Sequence, residues 1–380
     1  MKKLRSALIF FIVAVFTFFS VWYIMDSGLL KPFPKKAFLT FDEAESRAVY
    51  RGLSKKEKAV YTALYRGISE RKHTIELPCD VKDSVYEKIY TFLQKQESGF
   101  FYLSADFLTA DRVRTAKMTY IYKENEIEKM QKELEKVRDE ALSRLDDYMS
   151  DYEKACCIHD FIAEKCTYSI ETDTEGGSAY GCLVKGEARC EGYAKAFDYL
   201  LKSAGINDVV ITGETDKGEA HAWNKFESRG VWYNVDVTWD DNDSKCEGRH
   251  IYFMSSKGGF NGSHYPEKQY RDKDFEFNKY EYNDTKKNYY FEKNNLFADN
   301  KDDIDEILID EISSYNQKGF IEIQFGNSKL FEEFEEEYFE NGKIWDVIQK
   351  NTPYFLSGTN YEYFGYVENE DENCAIIYAY

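Results

Sequence analysis

Gly186-Glu187-Ala188-Arg189-Cys190-Glu191-Gly192-Tyr193-Ala194-Lys195-Ala196-Phe197 is the stretch that decides how this chain is read. From it onward, Tyr193, Phe197, Leu200, Leu201 and Ala204 recur at three- and four-residue steps, predicting an amphipathic helix that Gly205 ends. The apolar face begins only after Cys190, so the cysteine falls at the start of the helix. Unpaired N–H groups and the positive end of the helix dipole favour a thiolate there, and Arg189 adds a neighbouring cation. The same N–H groups suit a developing oxyanion. Taken alone, the stretch fits a buried structural thiol equally well.

Downstream, His221-Ala222-Trp223-Asn224-Lys225-Phe226 and Val231-Trp232-Tyr233-Asn234-Val235-Asp236 flank the turn-forming Ser228-Arg229-Gly230, which predicts a β-hairpin. With Phe226 opposite Val231, His221 falls opposite Asp236, where facing Cβ atoms are about 4.5–5.5 Å apart. A three-residue loop pairing Glu227 with Val231 would instead put the two on opposite faces. Singly, His221 reads as a half-exposed strand histidine and Asp236 as a strand-end carboxylate. Together with Cys190 they supply what cysteine acyl chemistry needs: a thiol, a base, and a group that orients the base.

Four segments carry a family resemblance: Arg189-Cys190-x-Gly192-Tyr193-Ala194-x-Ala196-Phe197, Gly205-Ile206, His221-Ala222-Trp223-Asn224, and Trp232-Tyr233-x-Val235-Asp236-x-Thr238-Trp239. They closely resemble the transglutaminase-like core, over residues 150–265. Tyr252-Phe253-Met254-Ser255-Ser256 and His264 are similar to the segment that closes this core in bacterial members. The resemblance implies an α+β, papain-like cysteine-protease fold, with the nucleophile at a helix N-terminus packed on an antiparallel sheet. Residue by residue it implies Cys190 as nucleophile, His221 as base and Asp236 as orienting acid. The implied reaction is acyl transfer or hydrolysis at protein or peptide amides through a thioester, resolved by an amine or by water. The alternatives are a cysteine peptidase or deamidase of cell-surface peptides, and a non-catalytic binding module that keeps the fold.

Departures from the family pattern bear on the site. Val184 stands six residues before Cys190, where papain-like proteases carry a glutamine oxyanion donor. Tyr180 and the backbone of Trp223 are the candidate substrate-proximal substitutes, and Trp223, Trp232 and Trp239 are candidate cleft walls. Asp240-Asp241-Asn242-Asp243 lacks the spaced Glu of a helix–loop–helix calcium site and reads as a solvated loop. Cys156-x-x-His159 reads as a buried thiol and a half-buried histidine on an amphipathic helix. His159, His250 and His264 are assigned structural or surface roles. No metal and no cofactor are expected.

Outside this block, Lys2, Lys3 and Arg5 precede an uncharged apolar run from Ala7 to Met25, about 28 Å long as a helix. It ends in Val21-Trp22-Tyr23-Ile24-Met25 without a small-x-small cleavage site. The expectation is an uncleaved signal anchor, a single-pass transmembrane helix with the remainder of the chain extracytoplasmic. The domain reading is an anchor at 1–29, an α+β region at 30–124, the core at 125–275 and a C-terminal α+β domain at 280–380. Ser54-Lys55-Lys56-Glu57 and Ser150-Asp151-Tyr152-Glu153 are capping boxes that open helices. Strands are expected at 74–77 (closed by Pro78), 100–103, 118–122, 289–292, 320–325 and 374–380. Helices are expected over 127–148, near 303–315 and over 328–339.

The chain's 380 residues carry a formal charge of −19, which disfavours nucleic acid as a partner. A protein or peptide substrate, cell-wall associated, and the membrane itself are the expected partners. Eight cysteines are too few for a disulfide framework.

Overall fold

The computed structural model describes residues 2–26, 37–108, 111–241, 248–255, 260, 262–284, 287–314, 320–351, 364–369 and 373–379. They fall into two compact units, Met1–Lys129 and Met130–Tyr380.

The first unit opens with helix α1, Lys2–Asp26. Side-chain exposure is described only over 10–23, so the apolar run expected at 7–25 lies partly outside the described residues. Among the described residues no helix is long and apolar enough to cross a membrane. Helix α2, Lys55–Ser69, begins at the expected capping box: Ser54 accepts the Glu57 N–H, and the Glu57 carboxylate accepts the Ser54 N–H. Strand β1 spans Thr74–Lys82, helix α3 Asp83–Gln96, and strand β2, Arg112–Lys117, pairs antiparallel with β1.

Two strand expectations need correction here. Pro78 does not close β1, because pairing passes from Glu76–Thr115 to Val81–Val113 and leaves 77–80 in a bulge. A bulge demands no ladder N–H from proline. Residues 98–100 form a 3-10 turn, and Leu103 and Tyr120 meet only in an isolated bridge. The aromatic residues there pack ring to ring, Phe101 on Tyr102 at 5.4 Å and Tyr102 on Tyr120 at 5.8 Å, rather than extending a ladder.

Helix α4, Glu124–Leu142, stops short of the expected 148, and Tyr148, the last member of the periodic pattern, is 96% exposed. Helix α5, Asp151–Lys165, starts at the second capping box, Ser150 with Glu153. A short parallel pairing of 167–168 with 187–188 clamps the chain just ahead of helix α6, Cys190–Ser203. Strands β3 (Asp208–Thr215), β4 (Ala220–Ser228) and β5 (Val231–Val235) follow, then the single turn α7 (Val237–Asp240). Strands β6 (Phe253–Ser255) and β7 (His264–Pro266) complete an antiparallel sheet in the order β6-β5-β4-β3-β7.

Helix α6 packs on β3 and β4, with Ala194 against Val210 and Ala222 and Phe197 6.1 Å from Phe226, and Tyr193, Phe197, Leu200 and Leu201 are fully buried. Each such side chain removed from water contributes about 1.5–3 kcal/mol. Asn224 of β4 fixes the helix to the sheet by donating to the Ala194 carbonyl (3.0 Å) and to Asp208 (2.8 Å).

Strand β8 (Phe297–Ala298), helix α8 (Lys301–Ser314), strand β9 (Phe320–Phe325), helices α9 (Ser328–Phe334) and α10 (Lys343–Asn351), and strands β10 (Phe364–Asn369) and β11 (Cys374–Ala379) follow. The sheet order is β8-β9-β11-β10. The strand expected at 289–292 is instead a helical turn, Tyr289–Lys293, because Asn288 caps it by accepting the Tyr290 N–H. The ends expected at Tyr315 and Tyr380 lie outside the described residues.

Candidate active site

Cys190 is the first residue of α6, half-buried, with Arg189 at the N-cap. A helix leaves its first N–H groups without intrahelical acceptors, so the thiol sits among outward-facing donors. Gly192 lets the 174–177 turn approach: a Cβ there would fall 2.5 Å from the Gly176 carbonyl oxygen and 2.7 Å from the Ala188 Cβ.

His221 comes from β4 and Asp236 from the N-cap of α7, with His221 Nε2 and Asp236 Oδ2 2.5 Å apart. They meet by a different register from the one expected. Ser228 pairs with Val231, Glu227 with Trp232 and Phe226 with Tyr233, around a two-residue turn. Both turn residues are left-handed, Arg229 at φ 53° and Gly230 at φ 80°, the conformation of a type I′ hairpin. His221 therefore does not face Asp236 directly. The register is displaced by two, an even number, so both side chains keep the same face and meet diagonally.

The Asp236 carboxylate makes three hydrogen bonds. Oδ1 accepts the Trp239 N–H at 3.2 Å, while Oδ2 accepts from His221 and from His264 Nε2 at 3.1 Å. His264 Nδ1 in turn accepts from the Ser263 hydroxyl at 2.8 Å. His264 sits 28 residues beyond Asp236, and no local pattern pairs the two. Its place in the segment similar to the closing part of the family core was the one available signal.

Burial works against a charged His221. The Asp236 carboxylate and a hydrogen bond with Cys190 outweigh it and push the imidazole up to about 10. Nε2 is committed to Asp236, which leaves Nδ1 for Cys190. Burial also disfavours charge on Asp236, yet His221 and His264 hold it well below the usual carboxylate range. For His264 burial prevails, and its pKa lies below the ordinary value. One carboxylate thus holds an imidazolium and a neutral imidazole, a separation that assigns distinct roles to the two rings.

The Cys190 thiol and His221 line a cleft of about 410 Å³ with Tyr168, Thr238, Trp239 and the 215–220 turn. Trp239 stacks on His221 at 5.3 Å. Trp223 is 2% exposed, 6.1 Å from the His221 ring, and lines a second cavity with His264. Trp232 is buried against Phe277, away from the cleft. Tyr180 is buried, is not among the cleft-lining residues, and donates its hydroxyl to Glu133 at 2.7 Å.

The acidic run 240–243 does not behave as a solvated loop where it is described. Asp240 is fully buried, bonding His159 and the Tyr252 N–H, and Asp241 accepts from Tyr193 at 2.5 Å. Residues 242–247 lie outside the described residues. His159, His250 and His264 are all buried. The seven described cysteines are free thiols.

An α-helical nucleophile site on an antiparallel sheet, with an oriented imidazole, defines a class of thiol enzyme fold. Residues 141–237 match the transglutaminase-like superfamily. It is 28% identical over 140 residues to kyphoscoliosis peptidase of Mus musculus and 27% identical to that of Homo sapiens. Each alignment covers 31% of this chain and 21% of the relative, so the chain spans about a fifth of the length of these curated relatives. A crystal structure described as a TGase is 13% identical, covering 40% of this chain and 49% of that one, with a TM-score of 0.28. A protein from Cytophaga hutchinsonii, described as a candidate cysteine protease, is 20% identical over 28% of this chain and 37% of its own, with a TM-score of 0.25.

Proposed function

We propose that the protein is a thiol-dependent enzyme acting at protein or peptide amides, with Cys190 as nucleophile, His221 as acid–base and Asp236 as the group that orients and charges His221. The observation that carries this reading is the His221–Asp236 contact of 2.5 Å beside a half-buried thiol at a helix N-terminus, all opening on one cleft. The Cys190 sulfur, as thiolate, bonds to the amide carbonyl carbon, and the N–H groups at the start of α6 receive the oxyanion. The C–N bond breaks as the His221 imidazolium passes its proton to the leaving amine, leaving a thioester. Neutral His221 then takes a proton from the resolving nucleophile, which attacks the thioester and expels the thiolate.

Water is the resolving nucleophile that the cleft favours. Asp216, Lys217 and Glu219 form one wall, and all three are exposed. A dry, aromatic-walled channel would favour an amine, whereas aromatic residues are only part of this wall. Hydrolysis, as a cysteine peptidase or deamidase, is therefore the first reading and acyl transfer to amines the second. We further propose, from the cations Lys2, Lys3 and Arg5 ahead of the apolar run at 7–25, that the site lies at the outer face of a membrane.

The test is a panel of peptides and cell-wall fragments, with and without amine acceptors, comparing the full-length protein with Cys190→Ala. Amide cleavage or ammonia release that Cys190→Ala abolishes is the expected result. Activity that survives Cys190→Ala, or its absence from a wild-type protein whose Cys190 does not alkylate selectively, refutes the enzyme reading in favour of a binding module.

A further inference from the structure

Away from the cleft, a second group of chemically active side chains lies between α5, the segment leading into β6, and strand β9. We propose that Cys156, Asp160 and His250 form a binding site for a borderline-soft divalent cation of the zinc type. Cys156 and Asp160 are four residues apart on α5 and so share one helix face. One ligand atom from each of the three residues lies within 4.8 Å of the others.

The distances fit ligands that share a metal. Cys156 Sγ is 3.6 Å from His250 Nε2. A sulfur and a nitrogen bound tetrahedrally to one zinc, at about 2.3 and 2.0–2.1 Å, are roughly 3.5 Å apart. Asp160 Oδ1 is 2.9 Å from His250 Nε2, a hydrogen-bond distance that opens by about half an ångström when both bind one ion.

His250 is oriented as metal-binding histidines are. Its Nδ1 lies 3.1 Å from Glu322 Oε2, and its backbone N–H donates to Glu322 Oε1 at 2.5 Å. A carboxylate on one ring nitrogen fixes the tautomer and aims the other nitrogen at the ion. Tyr290 stacks on the ring at 4.2 Å and 8° and holds its plane. His159 stands outside this group and bonds Asp160 and Asp240, each at 3.1 Å.

Thiolate, imidazole and carboxylate together select zinc over calcium or magnesium, which prefer all-oxygen sets. The Asp160 side chain is 31% exposed while His250 is fully buried, so an ion has an entry side and a water can complete four-coordination. Binding releases the Cys156 thiol proton, and any proton on His250 Nε2, to solvent. The bound ion would join α5 to the β6 approach directly and, through Glu322, to β9.

The test is a Co²⁺ titration of the full-length protein carrying Cys190→Ala, so that the cleft thiol cannot supply the sulfur. The expected result is one equivalent bound, with a thiolate-to-cobalt charge-transfer band that zinc displaces. Cys156→Ser should abolish the band, Asp160→Asn should weaken binding at least tenfold, and Cys157→Ser should change neither, with far-UV circular dichroism confirming the fold. Asp160→Asn alters the exposed corner of the site, so it remains informative if Cys156→Ser fails to fold. The proposal is overturned by the absence of a charge-transfer band, by a band that survives Cys156→Ser, or by unchanged affinity in Asp160→Asn.

Discussion

Replacing Asp236 with Asn isolates the charge from the shape. Asp236 Oδ1 accepts the Trp239 N–H and caps α7, a role that asparagine fills equally well. With Oδ1 kept there, the new amide nitrogen occupies the Oδ2 position and points N–H groups at His221 and His264. In the wild type, Nε2–H of His221 donates to Asp236, so Nδ1 is the nitrogen that exchanges its proton with Cys190. In Asp236→Asn, Nε2 must accept, so the proton moves to Nδ1 and the ring no longer serves as a base for the thiol. The charge effect runs the same way. Raising His221 from its ordinary 6.5 to about 10 corresponds to about 5 kcal/mol of preference for the imidazolium, which Asp236 shares with the Cys190 hydrogen bond. Without the carboxylate, burial is opposed by Cys190 alone and the His221 pKa falls. The expected outcome is a loss of turnover of at least about a hundredfold at neutral pH, with KM little changed. NMR titration of the His221 ring provides the direct check: no titration between pH 5 and 8 in the wild type, and a lowered midpoint in the variant. A wild-type His221 that titrates near 6.5, or an Asp236→Asn enzyme with full turnover, refutes the reasoning.

The same pair governs stability against pH. The raised His221 pKa contributes stability that is fully present below about pH 6.5 and is lost as pH rises through about 10. The depressed Asp236 contributes stability that is present above about pH 4 and is lost in stronger acid. The destabilisation of Asp236→Asn relative to wild type, measured by urea unfolding, should therefore be largest at about pH 4–6.5 and shrink towards pH 10. A difference independent of pH would contradict it. His264→Gln should lower kcat about tenfold, the equivalent of one charge-assisted hydrogen bond of about 1.4 kcal/mol to Asp236. It should also leave far-UV circular dichroism unchanged, and unaltered kcat would reduce His264 to a packing role.

What could be read from the sequence was local. The two capping boxes carry their own donors and acceptors within four residues, and both helices start where those residues place them. The periodic face from Tyr193 to Leu201 likewise put Cys190 at a helix start. The hairpin was legible only in parity. The residues flanking Arg229-Gly230 permit several pairings, and only the left-handed conformation of both turn residues selects Ser228 with Val231. A two-residue displacement preserves faces, which is why His221 and Asp236 still meet. Strands inferred from aromatic runs fared worst, because Phe101, Tyr102 and Tyr290 are buried by ring packing that makes no demand for an extended backbone. Partners far apart in sequence, such as His264 for Asp236 or Glu322 for His250, left no trace in spacing.

The acid of the site rests on the shortest helix that supports it. A four-residue turn such as α7 has no stability of its own, since nucleating a helix costs more than one or two hydrogen bonds return. Tertiary contacts hold it at both ends. At its start Asp236 binds His221 and His264. Four residues on, Asp240 binds His159 at 3.1 Å and the Tyr252 N–H at 2.9 Å, while its own N–H donates to the Asp236 carbonyl at 3.1 Å. His159 belongs to α5 and Tyr252 leads into β6, so the turn is fixed between a helix and a sheet that also frame the Cys156–Asp160–His250 group. The position of Asp236 against His221 is thus set by buried hydrogen bonds at both ends of α7. Burial outweighs the hydrogen bonds from His159 and the Tyr252 N–H and raises the Asp240 pKa. A short turn whose two ends are each held by histidine is a stiffer mount for the proposed orienting carboxylate than a strand end facing solvent.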